Sequence, residues 1–348
     1  MAVVLFHSTI ALNEFNLDPF ILGSLRDGQP RGLDLAGYGV SIFFVVSGFL
    51  ITYLLQTEKK IQPIDVKKFY LRRILRIWPL YYLYLVLIVI IMLIMGLQLN
   101  VQPLFFYVFF AANVPFILGN GIPLLSHYWS LGVEEQFYLL WPWVNKKVMS
   151  LVLPLIALIF ILIGAKITLH YYFPDSLIES VIYITRFHCM MIGALGAVLY
   201  QQNNKLFLQA VDNKFMQLIC WGILILVAVN KFHIASVIDN EIISFVAMFI
   251  VIGQVNTKNR VVNLELNVLD FLGKISYGIY VIHPLVIFLF AKALKGVQIN
   301  LSYKYILVYF CILSTTVLFS YLSYKYFEKY FLNLKKKFTV VRSSDTKN

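Results

Sequence analysis

The sequence predicts an all-α polytopic membrane protein of about ten transmembrane helices, and three observations carry that prediction. Of 348 residues, 60% are hydrophobic and 13% are charged, with a mean hydropathy of +0.79. Soluble domains carry about 25% charged residues, so a globule of this size could not cover its surface with so few. No Asp, Glu, Lys or Arg occurs between Ile77 and Val133. Further uncharged stretches are Leu35–Thr57, Val148–Ala165, Phe187–Asn204, Phe215–Asn230, Ile242–Thr257, Ile275–Ala291 and Tyr305–Tyr324. A spanning helix needs roughly 20 mostly apolar residues. The runs are continuous rather than alternating, which argues against a transmembrane barrel. One membrane domain, residues 1–330, takes up nearly the whole chain; residues 331–348 read as a basic, disordered cytoplasmic tail.

Loop charge orders the elements. Residues 57–76 carry Lys59, Lys60, Lys67, Lys68, Arg72, Arg73 and Arg76 against Glu58 and Asp65, so this loop belongs in the cytoplasm. The net charge of +12 is concentrated in such loops and the tail, where it sets topology and meets anionic lipid. Residues 13–34 hold Glu14, Asp18, Asp27 and Asp34 against Arg26 and Arg31 and belong outside, as do the segments around Asp175 and Asp239. Residues 1–12 then run outward, 35–56 inward and 78–97 outward. Lys146 and Lys147 return the chain to the cytoplasm, so 98–145 crosses an odd number of times. Two apolar pieces lie there, near 104–118 and 128–144, which predicts one re-entrant or broken segment between 104 and 144. Crossings at 148–166, 180–201, 215–232, 241–256, 269–293 and 303–325 follow, and both termini lie inside.

The first element is short. Twelve residues from Met1 to Leu12 rise only about 18 Å against a core of roughly 30 Å. It lacks the basic start of a signal peptide, and the expectation is that the beginning of the chain is missing or misplaced.

Ionisable residues at membrane depth are the candidates for chemistry. His7 lies in the first apolar stretch, either as a packing histidine or as the one side chain suited to proton transfer near neutrality. Glu134 and Glu135 sit in Tyr-Trp-Ser-Leu-Gly-Val-Glu-Glu-Gln-Phe-Tyr (128–138). They serve either catalysis and substrate binding or a structural ion pair, for which Arg186 is the available cation. Arg72, Arg73 and Arg76 share a helix face at i, i+3 and i, i+4. Positive-inside anchoring explains them, and so does a phosphate-rich ligand, which guanidinium forks match. Ser276, Tyr277, Tyr280 and His283 form a polar stripe ahead of Pro284, either a seam between helices or part of a cavity. His127, His170, His188 and His233 show no ligand-like spacing, and no metal, nucleotide or serine-hydrolase motif stands in the chain. Cys189, Cys220 and Cys311 fall in apolar runs and read as core residues.

Together these segments resemble the acyltransferase-3 family of integral-membrane acyltransferases, over nearly the whole chain. Ala-Val-Val-Leu-Phe-His (2–7), Gly-Tyr-Gly-Val-Ser-Ile-Phe-Phe-Val-Val-Ser-Gly-Phe-Leu-Ile (37–51) and Phe-Tyr-Leu-Arg-Arg-Ile-Leu-Arg-Ile-Trp-Pro-Leu-Tyr-Tyr (69–82) match in family order. So do Trp-Ser-Leu-Gly-Val-Glu-Glu-Gln-Phe-Tyr (129–138), Arg186 to Gly193 and Ser276 to Pro284. The resemblance implies transfer of an acyl group, most often acetyl, from cytosolic acyl-CoA to a hydroxyl of an envelope polysaccharide, lipopolysaccharide or other glycolipid.

The resemblance also assigns roles. His7 is catalytic, as a general base or a transient acyl carrier. Arg73 and Arg76, with Arg72, bind the donor's phosphates. Glu134 orients His7. Ser47, Gly48, Trp129, Ser130, Glu135, Arg186, Tyr277, Tyr280 and His283 are cavity or structural polar positions. No metal or bound cofactor is implied, since acyl-CoA is a co-substrate. The implied setting is a bacterial inner or plasma membrane, and the implied partners are acyl-CoA, the glycan or glycolipid acceptor, membrane lipid and a separate extracytoplasmic enzyme, with no nucleic acid.

Three departures stand out. The family's basic residue ahead of the His7 equivalent would precede Met1. Ser41 replaces a frequent Asp, and Tyr330 a frequent Pro. The extracellular hydrolase-like domain of some relatives has no counterpart, so any second step would fall to a separate extracytoplasmic enzyme. The alternative is a proton-coupled transporter, whose two-fold internal repeat is not visible here.

Overall fold

A computed structural model describes residues 1–25 and 28–340. Arg26, Asp27 and residues 341–348, which the loop-charge reading used, lie outside the described residues. Among those described the chain is helical, with no strand beyond one isolated bridge between Ser24 and Pro30.

The first half comprises α1 (Ala2–Ile10), α2 (Asp34–Ile61), α3 (Val66–Ile94), α4 (Leu104–Val108), α5 (Asn113–Ile117), α6 (Tyr128–Lys147) and α7 (Val152–Tyr172). The second comprises α8 (Leu177–Thr185), α9 (Phe187–Gln201), α10 (Lys205–Val211), α11 (Lys214–Ala228), α12 (Asp239–Asn256), α13 (Asn267–Leu294) and α14 (Leu301–Ser323). A π-turn over Tyr324–Glu328 leads into α15 (Lys329–Lys335).

Six helical spans are long and apolar enough to cross a bilayer, or seven if the bent pair α10–α11 is one span. The chain is therefore a multi-pass membrane protein. The sequence count of about ten also used 1–12, 128–144 and 241–256. There α1 has only nine residues, α6 contains Glu134, Glu135 and Gln136, and α12 opens on Asp239, Asn240 and Glu241. Residues 104–127 form two five-residue helices joined by turns, which is the broken stretch the sequence predicts there.

Local chemistry sets the helix boundaries. Asp65 accepts from the Lys68 amide at the start of α3, and Asn204, Asn213 and Asn300 cap α10, α11 and α14 in the same way. The backbone hydrogen bond from Lys68 holds the Asp65 carboxyl below its usual pKa. Between α8 and α9 the break falls on Arg186 in the left-handed region, φ 45°. A non-glycine residue pays for that conformation, and here its side chain is tied on both sides. Arg186 Nη1 donates to Ser41 Oγ at 3.0 Å, and its Nε to the Tyr183 carbonyl at 2.9 Å. Ser41 in turn donates to Asn240 Oδ1 at 2.8 Å, so the residue that replaces a frequent Asp serves helix contacts.

The core forms around α2 and α9, which cross with almost no space between backbones. A Cβ on Gly48 would lie 2.0 Å from the Met190 carbonyl oxygen, and one on Gly193 would lie 2.0 Å from that of Val45. Small residues permit this approach in a medium where close packing replaces the hydrophobic drive. Lys166 of α7 pairs with Glu241 of α12 at 2.7 Å, both buried, which compensates two charges taken from water. Helix continues to Phe338, beyond the boundary expected at residue 330. The physical reason is docking: α15 lies against α3, and Arg72 Nη1 donates to the Phe338 carbonyl at 2.9 Å.

Candidate functional site

Two cavities run through the bundle. The upper one, about 630 Å³, lies toward Glu14, Gly37 and Arg186; the lower one, about 470 Å³, lies toward Arg73 and Arg76. Val3, Val40 and Tyr280 line both, so the two meet at that level. His7 of α1 lines the upper cavity and His283 of α13 the lower. Their rings meet edge to edge and nearly coplanar, 5.0 Å between centres and 15° between planes, with His7 Nδ1 2.7 Å from His283 Nε2.

The local sequence fixes how these rings are protonated. In an uninterrupted helix the amide at position 284 would bond the Tyr280 carbonyl, four residues back. Pro284 has no N–H, so that carbonyl is left free. His283 Nδ1 takes it at 2.8 Å and also lies 3.1 Å from the Ile279 carbonyl. A carbonyl only accepts, so Nδ1 of His283 carries the proton. In the neutral ring Nε2 is then an acceptor, and His7 must donate to it from Nδ1. His7 Nε2 keeps its lone pair, the arrangement a general base needs.

In the lower cavity, Arg73 is buried and makes no ion pair or hydrogen bond among the described residues; its Nε is unpartnered. Its contacts are with aromatic faces, 5.8 Å from the Phe69 centroid and 5.5 Å from that of Tyr138. Glu134 and Glu135 are its nearby carboxylates, but neither forms an ion pair with it, so its guanidinium is desolvated without a direct partner. Arg76 also lines this cavity and is exposed. Arg72, the third of the predicted donor-binding set, does not line it. Its Nη2 is 3.0 Å from Glu58 Oε2, with Glu58 buried. Adjacent helical positions differ by about 100°, so Arg73 points inward while Arg72 braces the α2–α3 loop and the turn after α15.

Glu134 is buried and lines the lower cavity, and its Oε1 accepts from Ser47 Oγ and Tyr138 OH. It makes no contact with His7. The expectation that Glu134 orients His7 is not met by the geometry: Glu134 bonds Ser47 and Tyr138, and the side chain at His7 Nδ1 is that of His283, from α13 and not α6. Glu135 faces α3 and accepts from Trp78 Nε1 at 3.4 Å. The ion pair considered between these carboxylates and Arg186 does not form, since Arg186 is bound to Ser41 and the α8–α9 break.

The remaining predicted positions divide. Tyr280 OH donates to the His127 carbonyl at 2.7 Å and lies 2.5 Å from Ser130 Oγ, which ties α13 to the start of α6 where the cavities meet. Tyr277 OH donates to the Ile77 carbonyl at 2.7 Å and lines the lower cavity. Trp129 lines the upper cavity and stacks on Phe116, 5.4 Å between centres and 21° between planes. Gly48 lines neither and serves packing.

His127 escapes sequence reasoning. It lines the upper cavity, with its ring centre 5.4 Å from that of His283. Its place beside Trp-Ser-Leu-Gly-Val-Glu-Glu is the only local signal that could have found it. No group of His, Cys, Asp and Glu that could hold a metal occurs among the described residues.

Comparison with known proteins agrees with this reading of the sequence. The profile of the acyltransferase domain family matches residues 1–325. The chain is 28% identical over 323 residues to the O-acetyltransferase OatA of Staphylococcus aureus, covering 83% of this chain and 51% of that protein. It is 38% identical over 116 residues to the peptidoglycan O-acetyltransferase OatA of Listeria monocytogenes, covering 30% of this chain and 19% of that protein. The chain thus spans about half the length of the Staphylococcus aureus relative. No solved structure matches.

Proposed function

The chain belongs to the acyltransferase-3 family, and from that membership we propose that it is an integral-membrane O-acetyltransferase acting on an envelope glycan. The observation that carries the proposal is the junction of two cavities at one histidine pair, with an unpaired arginine in one of them. Acetyl-CoA enters the lower cavity from the cytoplasm. Arg73 and Arg76 receive its phosphates, and the walls formed by Phe43, Val46 and Leu50 hold its thiol arm. That cavity follows α2 from Gly39 to Ile51, about 18 Å of helix, which suits an extended arm reaching the histidines.

The acceptor occupies the upper cavity, where Trp129 and Phe116 present aromatic surface suited to a sugar ring. The relative described as a peptidoglycan O-acetyltransferase makes peptidoglycan the leading acceptor class. His7 Nε2 removes the acceptor hydroxyl proton. The hydroxyl oxygen bonds to the thioester carbonyl carbon, the carbon–sulfur bond breaks, and the proton passes from His7 to the departing thiolate. The thioester supplies the driving force. Loop charge places Arg73 and Arg76 toward the cytoplasm and leaves both termini there. We read α1, α6 and α12 as crossings too, which together with six apolar spans and the bent pair α10–α11 taken as one more makes ten.

The test is mass spectrometry of envelope glycans from cells with and without the protein, and with His7→Ala at equal expression. Loss of one acetyl increment in both the deletion and the variant is expected. An unchanged glycan in the His7→Ala strain overturns the proposal.

A further inference from the structure

One buried polar group beside the site is used by nothing described so far. His127 is 5% exposed, and neither ring nitrogen has a hydrogen-bond partner. An unsatisfied buried polar group costs about 1–3 kcal/mol, and both nitrogens of this ring go unpaid. Its surroundings are the faces and edges of rings, with the Val281 backbone beside it. Tyr84, Tyr128, Tyr280 and His283 lie 5.8, 4.9, 5.4 and 5.4 Å away between ring centres. The backbone around it is fixed, since the His127 carbonyl accepts from Tyr280 OH at 2.7 Å. The ring is therefore held in place with both nitrogens buried and outside normal hydrogen-bond geometry, and the residue lines the upper cavity together with His7.

We propose that His127 holds the acceptor: its ring N–H donates to the oxygen of the acceptor hydroxyl whose proton His7 Nε2 takes. The inference rests on the acetyltransferase reading above. A neutral imidazole always carries one N–H, and a hydroxyl oxygen accepts one such bond while still offering its proton. Two imidazoles on the same cavity thus grip one hydroxyl from both sides. His7 is engaged by His283 through Nδ1 and faces the hydroxyl with its bare nitrogen, whereas His127 supplies the donor. Because His127 lines only the upper cavity, it acts on the acceptor and not on the CoA moiety.

The experiment uses the full chain in lipid nanodiscs with acetyl-CoA and a soluble peptidoglycan disaccharide, reading CoA release. His127→Leu removes the N–H and keeps bulk; His127→Gln restores an amide N–H. His127→Leu is expected to raise the KM for the disaccharide about tenfold, the worth of one hydrogen bond, with the KM for acetyl-CoA unchanged. His127→Gln is expected to recover most of the loss. An unchanged disaccharide KM in His127→Leu overturns the inference, as does equal impairment of the two variants, which would mean a packing role. If the wild-type chain releases no CoA with any hydroxyl acceptor, the acetyltransferase reading itself fails and takes this inference with it.

Discussion

His7 Nδ1 lies 2.7 Å from His283 Nε2, joining residues 276 positions apart in the chain. Everything chemical in the site follows from which of the two donates. Pro284 decides it, by leaving the Tyr280 carbonyl to the His283 ring. The proton order then runs from His7 to His283 to backbone, and the free lone pair stands on His7 Nε2. A helix breaker placed one residue after a histidine thus works as an orienting device.

Replacing His283 tests that order. His283→Phe keeps an aromatic ring against His7 but offers it no acceptor, so His7 is free to flip and to place a proton on Nε2. The expected result is a fall in kcat on the order of 100-fold, the scale of lost general-base catalysis, with the KM for acetyl-CoA unchanged. Steady-state CoA release by the reconstituted protein measures both. A kcat within about twofold of wild type would mean that His7 needs no partner.

Pro284→Ala separates stability from activity. An alanine supplies the amide that competes for the Tyr280 carbonyl, and a proline inside a helix costs about 3 kcal/mol relative to alanine. The variant is expected to melt at a higher temperature and to turn over about fivefold more slowly, as His283 loses one hydrogen bond worth about 1 kcal/mol. Differential scanning fluorimetry in detergent and CoA release make the comparison. A variant that gains stability and keeps full activity would show that the freed carbonyl does not orient the ring.

Arg73 and Arg72 differ by one position and should fail differently. Arg73→Met leaves the lower cavity without its buried guanidinium, and the KM for acetyl-CoA should rise at least about tenfold, the worth of one charge-assisted hydrogen bond. Arg72→Met leaves the buried Glu58 carboxylate without its cation. It should lower the melting temperature while the KM for acetyl-CoA stays put. Dephospho-CoA donors tell which phosphate each arginine meets. Equal effects of the two variants on KM would contradict the separation seen here.

The sequence made the helices legible because hydropathy and loop charge act locally. It made His7, Arg73 and His283 legible because an ionisable group in an apolar run stands out against its neighbours. Arg72 was grouped with Arg73 and Arg76 because spacing puts three residues on one helix sector. Which edge of that sector meets the cavity depends on Glu58 and on α15, which no local pattern reveals. The pairing of His7 with His283, rather than with Glu134, depends on α1 reaching α13 across the whole chain. His127 is silent in the sequence for the same reason, since Tyr84, Tyr280 and His283 reach it from distant parts of the chain. The ten-crossing count outran the six to seven apolar spans because α1, α6 and α12 are short or polar where they line or brace the site.

Gly48 gives the last prediction, and it concerns the frame rather than the chemistry. A methyl group there would meet the Met190 carbonyl oxygen at 2.0 Å, a backbone atom that cannot rotate away. Gly193 imposes the same limit from the opposite helix against Val45. Gly48→Ala must therefore push α9 off α2 or forgo the crossing, at a cost of about 3 kcal/mol. Because α2 carries Val40 and Ser47 into the two cavities, the displacement also opens the junction beside the histidines. Gly222→Ala in α11, where a methyl group meets nothing within 4 Å, is the control and should gain slightly from helix propensity. Fluorescence-detected size exclusion after a heat step ranks the two: Gly48→Ala should collapse well below wild type and Gly222→Ala should match or exceed it. A Gly48→Ala protein as heat-stable as wild type would mean that the α2–α9 contact is looser than its backbone geometry requires.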